Sequence, residues 1–360
     1  MTLEKINRIA VLKLRNIGDT LLATPALRNL RNFFPKSHIS VFVGEGSESI
    51  LENNPSINEI VIIKRSLKSL TLGKKVKNGL YPYQKMFFGS YDLVLDYTTG
   101  DRASFLTLLS KAKYRAAFKT FTSEKSFWKS KIYTHFTPPP PFPTHEVIRH
   151  LSLLNTLTIP TESLPLELYL SAESIQWAKA QFDSNPTKIK IHFHPVSRWL
   201  FKCWDDAYAA ELIQRLSDQL KATVIITSSN EPREMDRVKN ILSLAKCPVI
   251  DLSGRTTLSQ TAAISKLSDL FIGVDTGPMH MATAVGTPVV ALFGPSGVET
   301  WRPWAAQAKT IYHECHCNLL KQQTCLHDSV RDCLKSITVD EVYQSVIELL
   351  DQSQSGPPRQ

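Results

Sequence analysis

The segment FIGVDTGPMHMATAVGTPVVALFGPS, residues 271–296, constrains the fold of this chain most. Two apolar runs of strand length flank a turn and a short helical stretch. Strands that are apolar on both faces must be covered on both faces, as in a parallel sheet between two layers of helices. The turn carries Asp275, Thr276 and Gly277, and a helix is predicted to start at or near Pro278. A helix start leaves backbone N–H groups without intrahelical partners, and with the helix dipole they favour an anion such as phosphate. Asp275 adds a carboxylate that can accept hydrogen bonds from sugar hydroxyls, and His280 falls within the first turn. An anion pocket beside a hydroxyl acceptor is what a nucleotide-sugar site requires.

The same alternation runs through the chain. In the first half, residues 8–14, 39–44, 59–65 and 91–97 read as strands, with amphipathic segments near 20–34, 46–54 and 101–111. A basic insert at 66–88 interrupts the rhythm, and TPPPPFPTHE at 137–146 is excluded from regular structure by its prolines. A helix is predicted at about 145–157. In the second half, strands are predicted at 188–194, 223–229, 248–254, 269–275 and 288–294, with helices near 205–220, 231–245 and 257–267. The segment ITVDEVYQSVIELLDQ has a helical period. The expected fold class is α/β, with two doubly wound Rossmann-like domains facing each other across a cleft. Expected boundaries are 1–165, 166–335, a C-terminal helix at 336–352 and a disordered tail at 353–360.

Charge separates the two halves. Residues 1–160 carry 23 Lys and Arg against 11 Asp and Glu, a net of +12, while the whole chain has +9. The first half therefore favours an anionic partner: nucleic acid, a membrane surface or an acidic glycolipid. Lys64, Arg65 and Lys68 open its densest patch, which continues at Lys74, Lys75 and Lys77; a solvated loop would look the same. The N-terminus lacks the apolar core of a signal peptide and no run is long enough to span a bilayer, so cytoplasmic residence is expected. Cys315, Cys317, Cys325 and Cys333 cluster with His313, His316 and His327. Their spacing is not that of a zinc finger or ribbon, and packed thiols are the alternative to a metal site.

Several residues could carry chemistry. The first strand leads into KLRNIGDTLLATPAL, where Asp19 would sit at the mouth of a cleft as a general base, or act as a helix cap. Thr24 and Pro25 read as an N-cap followed by Pro at the first helical position, unless the helix starts earlier. In PVSRWLFKCW, Ser197, Arg198 and Lys202 could bind a pyrophosphate, or be surface charge among core aromatics Trp199, Phe201 and Trp204. Glu231 could bond ribose hydroxyls, with capping of the next helix by Asn230 as the plain alternative. His192 and His194 are read as facing opposite sides of their strand, hence poor joint ligands. There is no Asp-x-Asp triplet, Walker A loop, GxGxxG or GxSxG elbow.

Three segments, VLKLRNIGDTLLATPALRNLR, HPVSRWLFKCW and GVDTGPMHMATAVGTPVVALFGPS, give the chain a resemblance over nearly its whole length. It resembles the lipopolysaccharide heptosyltransferases, the ADP-heptose transferases of glycosyltransferase family 9 in Gram-negative bacteria. The middle segment is most similar to members that add the third heptose of the inner core. The resemblance implies a GT-B fold and inverting transfer from ADP-L-glycero-D-manno-heptose to a lipopolysaccharide inner-core acceptor. It implies no cofactor and no catalytic metal. Asp19 would be the base; Asp275 would hold heptose hydroxyls; Thr276 and Gly277 would present N–H groups to the pyrophosphate. His280 would support them, Lys202 with Ser197 and Arg198 would bind phosphate and sugar, and Glu231 would contact ribose. Lys64, Arg65 and Lys68 would meet the acceptor. A monomer in peripheral contact with the cytoplasmic face of the inner membrane is expected, with no nucleic-acid partner. Transfer of the first or second heptose, a non-catalytic nucleotide-sugar sensor and a nucleic-acid-binding protein are the alternatives.

Overall fold

The computed structural model describes residues 5–64, 72–119, 127–183, 188–314 and 332–355. The chain divides into two compact units, Met1–Tyr169 and Leu170–Gln360. Unit 1 holds β1 (Arg8–Lys13), β2 (His38–Gly44), β3 (Glu59–Ile63), β4 (Leu93–Asp96), β5 (Tyr114–Phe118) and β6 (His135–Thr137). Unit 2 holds β7 (Lys190–His194), β8 (Thr223–Ile226), β9 (Ile250–Asp251), β10 (Leu270–Val274), β11 (Val289–Phe293) and β12 (Ala308–Tyr312). The sheet orders are β3-β2-β1-β4-β5-β6 and β12-β11-β10-β7-β8-β9. Every pairing is parallel. Read from β9, the second sheet has the same doubly wound order as the first. In each, the order reverses beside the first strand, between β1 and β4 and between β7 and β10, and ligands of such sheets bind outside the strands' carboxyl ends there.

The apolar strand runs explain the layering. All five residues of β10 and of β11 are buried, because helices cover both faces of the sheet. In unit 1, Leu12, Phe42, Val61 and Val94 on one face meet Ala103 and Leu106 of the Asp101–Ser110 helix and Met86 of the Leu72–Phe88 helix. The insert at 66–88 is therefore largely a crossover helix, not an interruption. Tyr83 and Met86, three residues apart, turn its apolar stripe inward. Conversely, the amphipathic stretch at 46–54 forms only the short 3-10 turn Glu48–Ile50. The C-terminal helix spans Val339–Ser355, so residues 353–355 continue it beyond the expected boundary. Val342, Val346 and Leu349 of this helix enter the second core, and Trp204 donates its indole N–H to Ile337 O at 3.0 Å beneath it. Among the described residues, no helix is long and apolar enough to cross a membrane.

Gly44 at the end of β2 marks a close approach. A Cβ there would stand 2.5 Å from the backbone oxygen of Leu14, the residue that leaves β1 toward Asp19. Gly44→Ala is expected to cost about 1–3 kcal/mol of stability through overpacking, read as a lower urea midpoint with an unchanged m-value.

Candidate active site

In unit 1 the chain leaves β1 through Asn16, whose φ of 53° is left-handed, and enters the short helix Ile17–Leu21. Asp19 lies in the first turn of that helix, half-buried, rather than capping it. Asn16 Nδ2 donates to Asp19 Oδ2 at 3.0 Å. A second helix follows at Thr24–Phe33. Its N-cap is Ala23, not Thr24, and the Thr24 hydroxyl turns back to donate to Leu21 O at 2.7 Å. Pro25 is tolerated in this first turn because its missing N–H would have had no intrahelical acceptor.

Beneath Asp19 lies a buried charge cluster that sequence reasoning missed. Lys13, the last residue of β1, is 5% exposed, and its ammonium stands 3.0 Å from His150 Nε2 and 3.6 Å from Glu146 Oε1. Arg149 donates to the same Glu146 oxygen at 2.7 Å, and His150 Nδ1 lies 3.0 Å from Leu22 O. Burial pushes the Asp19 carboxyl up, an effect that Lys13 and the Asn16 bond only partly offset. Burial also lowers Lys13, against the pull of Asp19 and Glu146. Burial opposes the Glu146 charge, but His150, Lys13 and Arg149 outweigh it and hold that carboxyl well below its ordinary range. Burial and the adjacent Lys13 push the His150 ring below its ordinary value, against the pull of Glu146. The only sequence signal was a lysine closing an otherwise apolar run, since His150 is 137 residues away. Asp96, also at this edge, is structural. One oxygen accepts from the N–H groups of Thr98 and Thr99 and the other from the Tyr133 hydroxyl.

Of the basic patch, Lys64 is half-buried and 3.8 Å from Glu45. Arg65 and Lys68 lie outside the described residues, as do Cys315, Cys317 and Cys325. Cys333 is buried in the second core, and His313 contacts Ser336 Oγ at 2.9 Å and Glu341 Oε1 at 3.1 Å. Among the described residues no group of three or more His, Cys, Asp or Glu could hold a metal ion.

Unit 2 brings Lys202 and Asp275 together. Lys202 Nζ donates to Asp275 Oδ2 at 2.6 Å, although 73 residues separate them. Lys202 ends the 3-10 turn Leu200–Lys202 beyond β7, and Asp275 follows β10 directly, so the pair sits at the order reversal. The next residue, Thr276, is the N-cap of the helix Gly277–Ala284, and Pro278 contributes no N–H. The first-turn N–H groups thus open beside a lysine ammonium. His280 is buried in this helix. Ser197 is buried and its oxygen accepts from the Trp199 N–H at 3.2 Å, while Arg198 is exposed. Of the aromatics read as core, Trp204 is buried but Trp199 is 60% exposed. Glu231, not Asn230, is the N-cap of the helix Pro232–Leu244; its side chain makes no cap bond and is exposed. The carboxylate that reaches back to this loop is the buried Glu234, accepting from the Ser229 N–H at 3.1 Å.

His192 and His194 correct a further expectation. Residues two apart on a strand share a face, and both rings meet Thr227 Oγ1, at 2.7 and 2.8 Å.

Residues 83–330 match the family model described as glycosyltransferase family 9 (heptosyltransferase). Lipopolysaccharide heptosyltransferase 3 of Escherichia coli K12 is 30% identical, covering 81% of this chain and 83% of its own length. Lipopolysaccharide core heptosyltransferase OpsX of Haemophilus influenzae is 26% identical, covering 81% and 80%. Among solved structures, a family 9 glycosyl transferase from Veillonella parvula superposes with a TM-score of 0.82 at 23% identity, covering 96% of this chain and 98% of its own. The Escherichia coli ADP-heptose heptosyltransferase II gives 0.75 at 20% identity, covering 97% and 100%. The structural likenesses bear on the fold, which is the GT-B pair of Rossmann-like units.

The charge cluster has measurable consequences. The Asp19 carboxyl is expected to titrate above the ~3.9 of a free aspartate, and higher still in Lys13→Met, as followed by carboxyl-carbon NMR. Removing Lys13 leaves buried partners uncompensated and should cost about 3–5 kcal/mol. The two carboxylates have opposite linkage signs. Asp19, raised in the fold, favours folding while protonated and loses that contribution as pH rises through its folded value. Glu146, depressed in the fold, contributes above its unfolded value and loses this on acidification below ~4.3.

Proposed function

This chain belongs to glycosyltransferase family 9, and from that premise we propose that it transfers L-glycero-D-manno-heptose from ADP-heptose to the lipopolysaccharide inner core. The step proposed is addition of the third heptose onto the second, which rests on the similarity to heptosyltransferase 3. The observation that carries the donor reading is the Lys202–Asp275 pair beside the Gly277 helix start. Lys202 and the N–H groups of Thr276 and Gly277 would meet the charge growing on the departing diphosphate. Asp275 would accept sugar hydroxyls and, with its carboxylate on Lys202, keep the ammonium aimed. Ser197, Arg198, His280 and Glu231 complete the proposed donor set, with Lys64, Arg65 and Lys68 on the acceptor side.

Asp19 is proposed as the base. Its carboxylate takes the proton of the acceptor hydroxyl as that oxygen bonds to the anomeric carbon from the face opposite ADP. The bond from that carbon to the phosphate oxygen breaks, ADP leaves with the electron pair, and the configuration inverts. A carboxyl raised by burial is a stronger base than a free one, closer to the working pH. With the diphosphate's charge met by Lys202 and backbone N–H groups, we propose that no catalytic metal is needed. The strongly basic first half supports peripheral docking at the anionic cytoplasmic face of the inner membrane. We propose that the enzyme works there as a monomer.

Asp19→Asn is expected to lower turnover about 10²–10⁴-fold while calorimetry shows ADP-heptose binding retained; unchanged turnover removes Asp19 from the mechanism. In the wild type, EDTA should leave the rate unaltered, and NMR of the product should show the anomeric configuration opposite to the donor's. Lys202→Met is expected to weaken ADP binding by about tenfold or more, the scale of one charge-assisted hydrogen bond.

A further inference from the structure

A buried hydrogen-bond chain runs along one face of the second sheet and ends at the β7 carboxyl edge. Ser265 of the Leu258–Leu267 helix donates its hydroxyl to Thr261 O at 3.3 Å. Its oxygen lies 2.7 Å from His192 Nδ1, His192 Nε2 lies 2.7 Å from Thr227 Oγ1, and Thr227 Oγ1 lies 2.8 Å from His194 Nδ1. Ser265, His192 and Thr227 are wholly buried and His194 is 5% exposed. His194 pairs in register with Gly273, two residues before Asp275, and lies three residues before Ser197.

Proton bookkeeping ties every bond of the chain to the Ser265 proton, whose two acceptors, Thr261 O at 3.3 Å and His192 Nδ1 at 2.7 Å, set opposite directions. Placed on Thr261 O, it leaves the Ser265 oxygen to accept from His192 Nδ1–H. A neutral His192 then has a bare Nε2, which takes the Thr227 hydroxyl proton. The Thr227 oxygen is left to accept from His194 Nδ1–H, and His194 Nε2 keeps its lone pair. Burial holds both rings neutral, His192 well below its ordinary range and His194 at about 4.

We infer that Ser265, His192 and Thr227 lock His194 in the Nδ1–H tautomer, and that its Nε2 accepts a hydrogen bond from a hydroxyl of the bound nucleotide sugar. The second half of this rests on the donor reading above; the first half does not. A neutral acceptor beside a phosphate site selects hydroxyls and turns away a second phosphate. Ser265, His192 and Thr227 are positioning residues, and His194 would make the contact.

The test begins with ring-¹⁵N-histidine spectra of the unliganded protein at neutral pH. His194 should show a single tautomer, protonated at Nδ1. Thr227→Val should mix the tautomers and Thr227→Ser should restore one. A His194 protonated at Nε2, or a spectrum indifferent to Thr227→Val, overturns the locking. Calorimetry with ADP and with ADP-heptose then reads the contact. His194→Phe should weaken binding about tenfold, the scale of one buried hydrogen bond. His194→Gln, whose amide oxygen can stand near Nε2, should recover most of the loss. A loss with both ligands assigns the contact to a ribose hydroxyl, and a loss with ADP-heptose alone assigns it to the heptose. Unchanged affinity for both in His194→Phe overturns the contact. Wild-type protein that binds neither ligand overturns the donor reading itself, and the ligand-free spectra still decide the locking.

Discussion

Parallel strand pairing is the constraint on which the rest of this structure depends. When every strand of a sheet points one way, every carboxyl end lies at one edge, and each return must cross over through a helix. Loops that leave the strands therefore gather at that edge, and where the strand order reverses the neighbouring loops part and leave room for a ligand. Each unit obeys this separately. In unit 1 the reversal gathers the β1 loop with Asp19 and the Asp96 turn after β4. In unit 2 it gathers the Ser197–Lys202 loop after β7 and the Asp275–Gly277 turn after β10.

The two edges use charge differently. In unit 2 the Lys202 ammonium is partly exposed and paired with Asp275 beside a helix start, an arrangement suited to exchanging one anionic partner for another. In unit 1 the cation is sealed in. Lys13 lies under Asp19 with Glu146 and His150 around it, and its charge is compensated before any ligand arrives. A sealed cation adjusts the proton affinity of the carboxyl above it without competing for the ligand. In the proposed reaction, proton transfer and leaving-group stabilisation would fall to different units of the same repeated fold.

Much of this was legible in the residues. Apolar runs marked the long central strands because burial on both faces demands them, and the DTG turn announced its helix start through Pro278. The edge strands β6 and β12 and the neighbouring β5 escaped, since HFT, AKTIY and YRAAF are short and mix polar with apolar residues. The Leu72–Phe88 helix was hidden by its lysines, Gly79 and Pro82, which read as a loop until Tyr83 and Met86 are seen to pack. Lys202 and Asp275 were each visible as candidates, but their 2.6 Å contact is a product of topology. The Lys13–His150 pair and the shared Thr227 were invisible for the same reason: partners far apart in sequence leave no local pattern. Glu231 was visible as a candidate and stands exposed at its helix start, while Glu234, three residues on, gave no local signal of its bond back to the Ser229 N–H.

The most direct test of the account is transfer from ADP-heptose to purified inner-core acceptors carrying one, two or three heptoses, with products weighed by mass spectrometry. Addition of the third heptose predicts a gain of one heptose on the two-heptose acceptor and on no other. A gain on the one-heptose acceptor alone would contradict the assigned step, and no gain on any acceptor, with ADP-heptose bound, would contradict heptosyl transfer to this core.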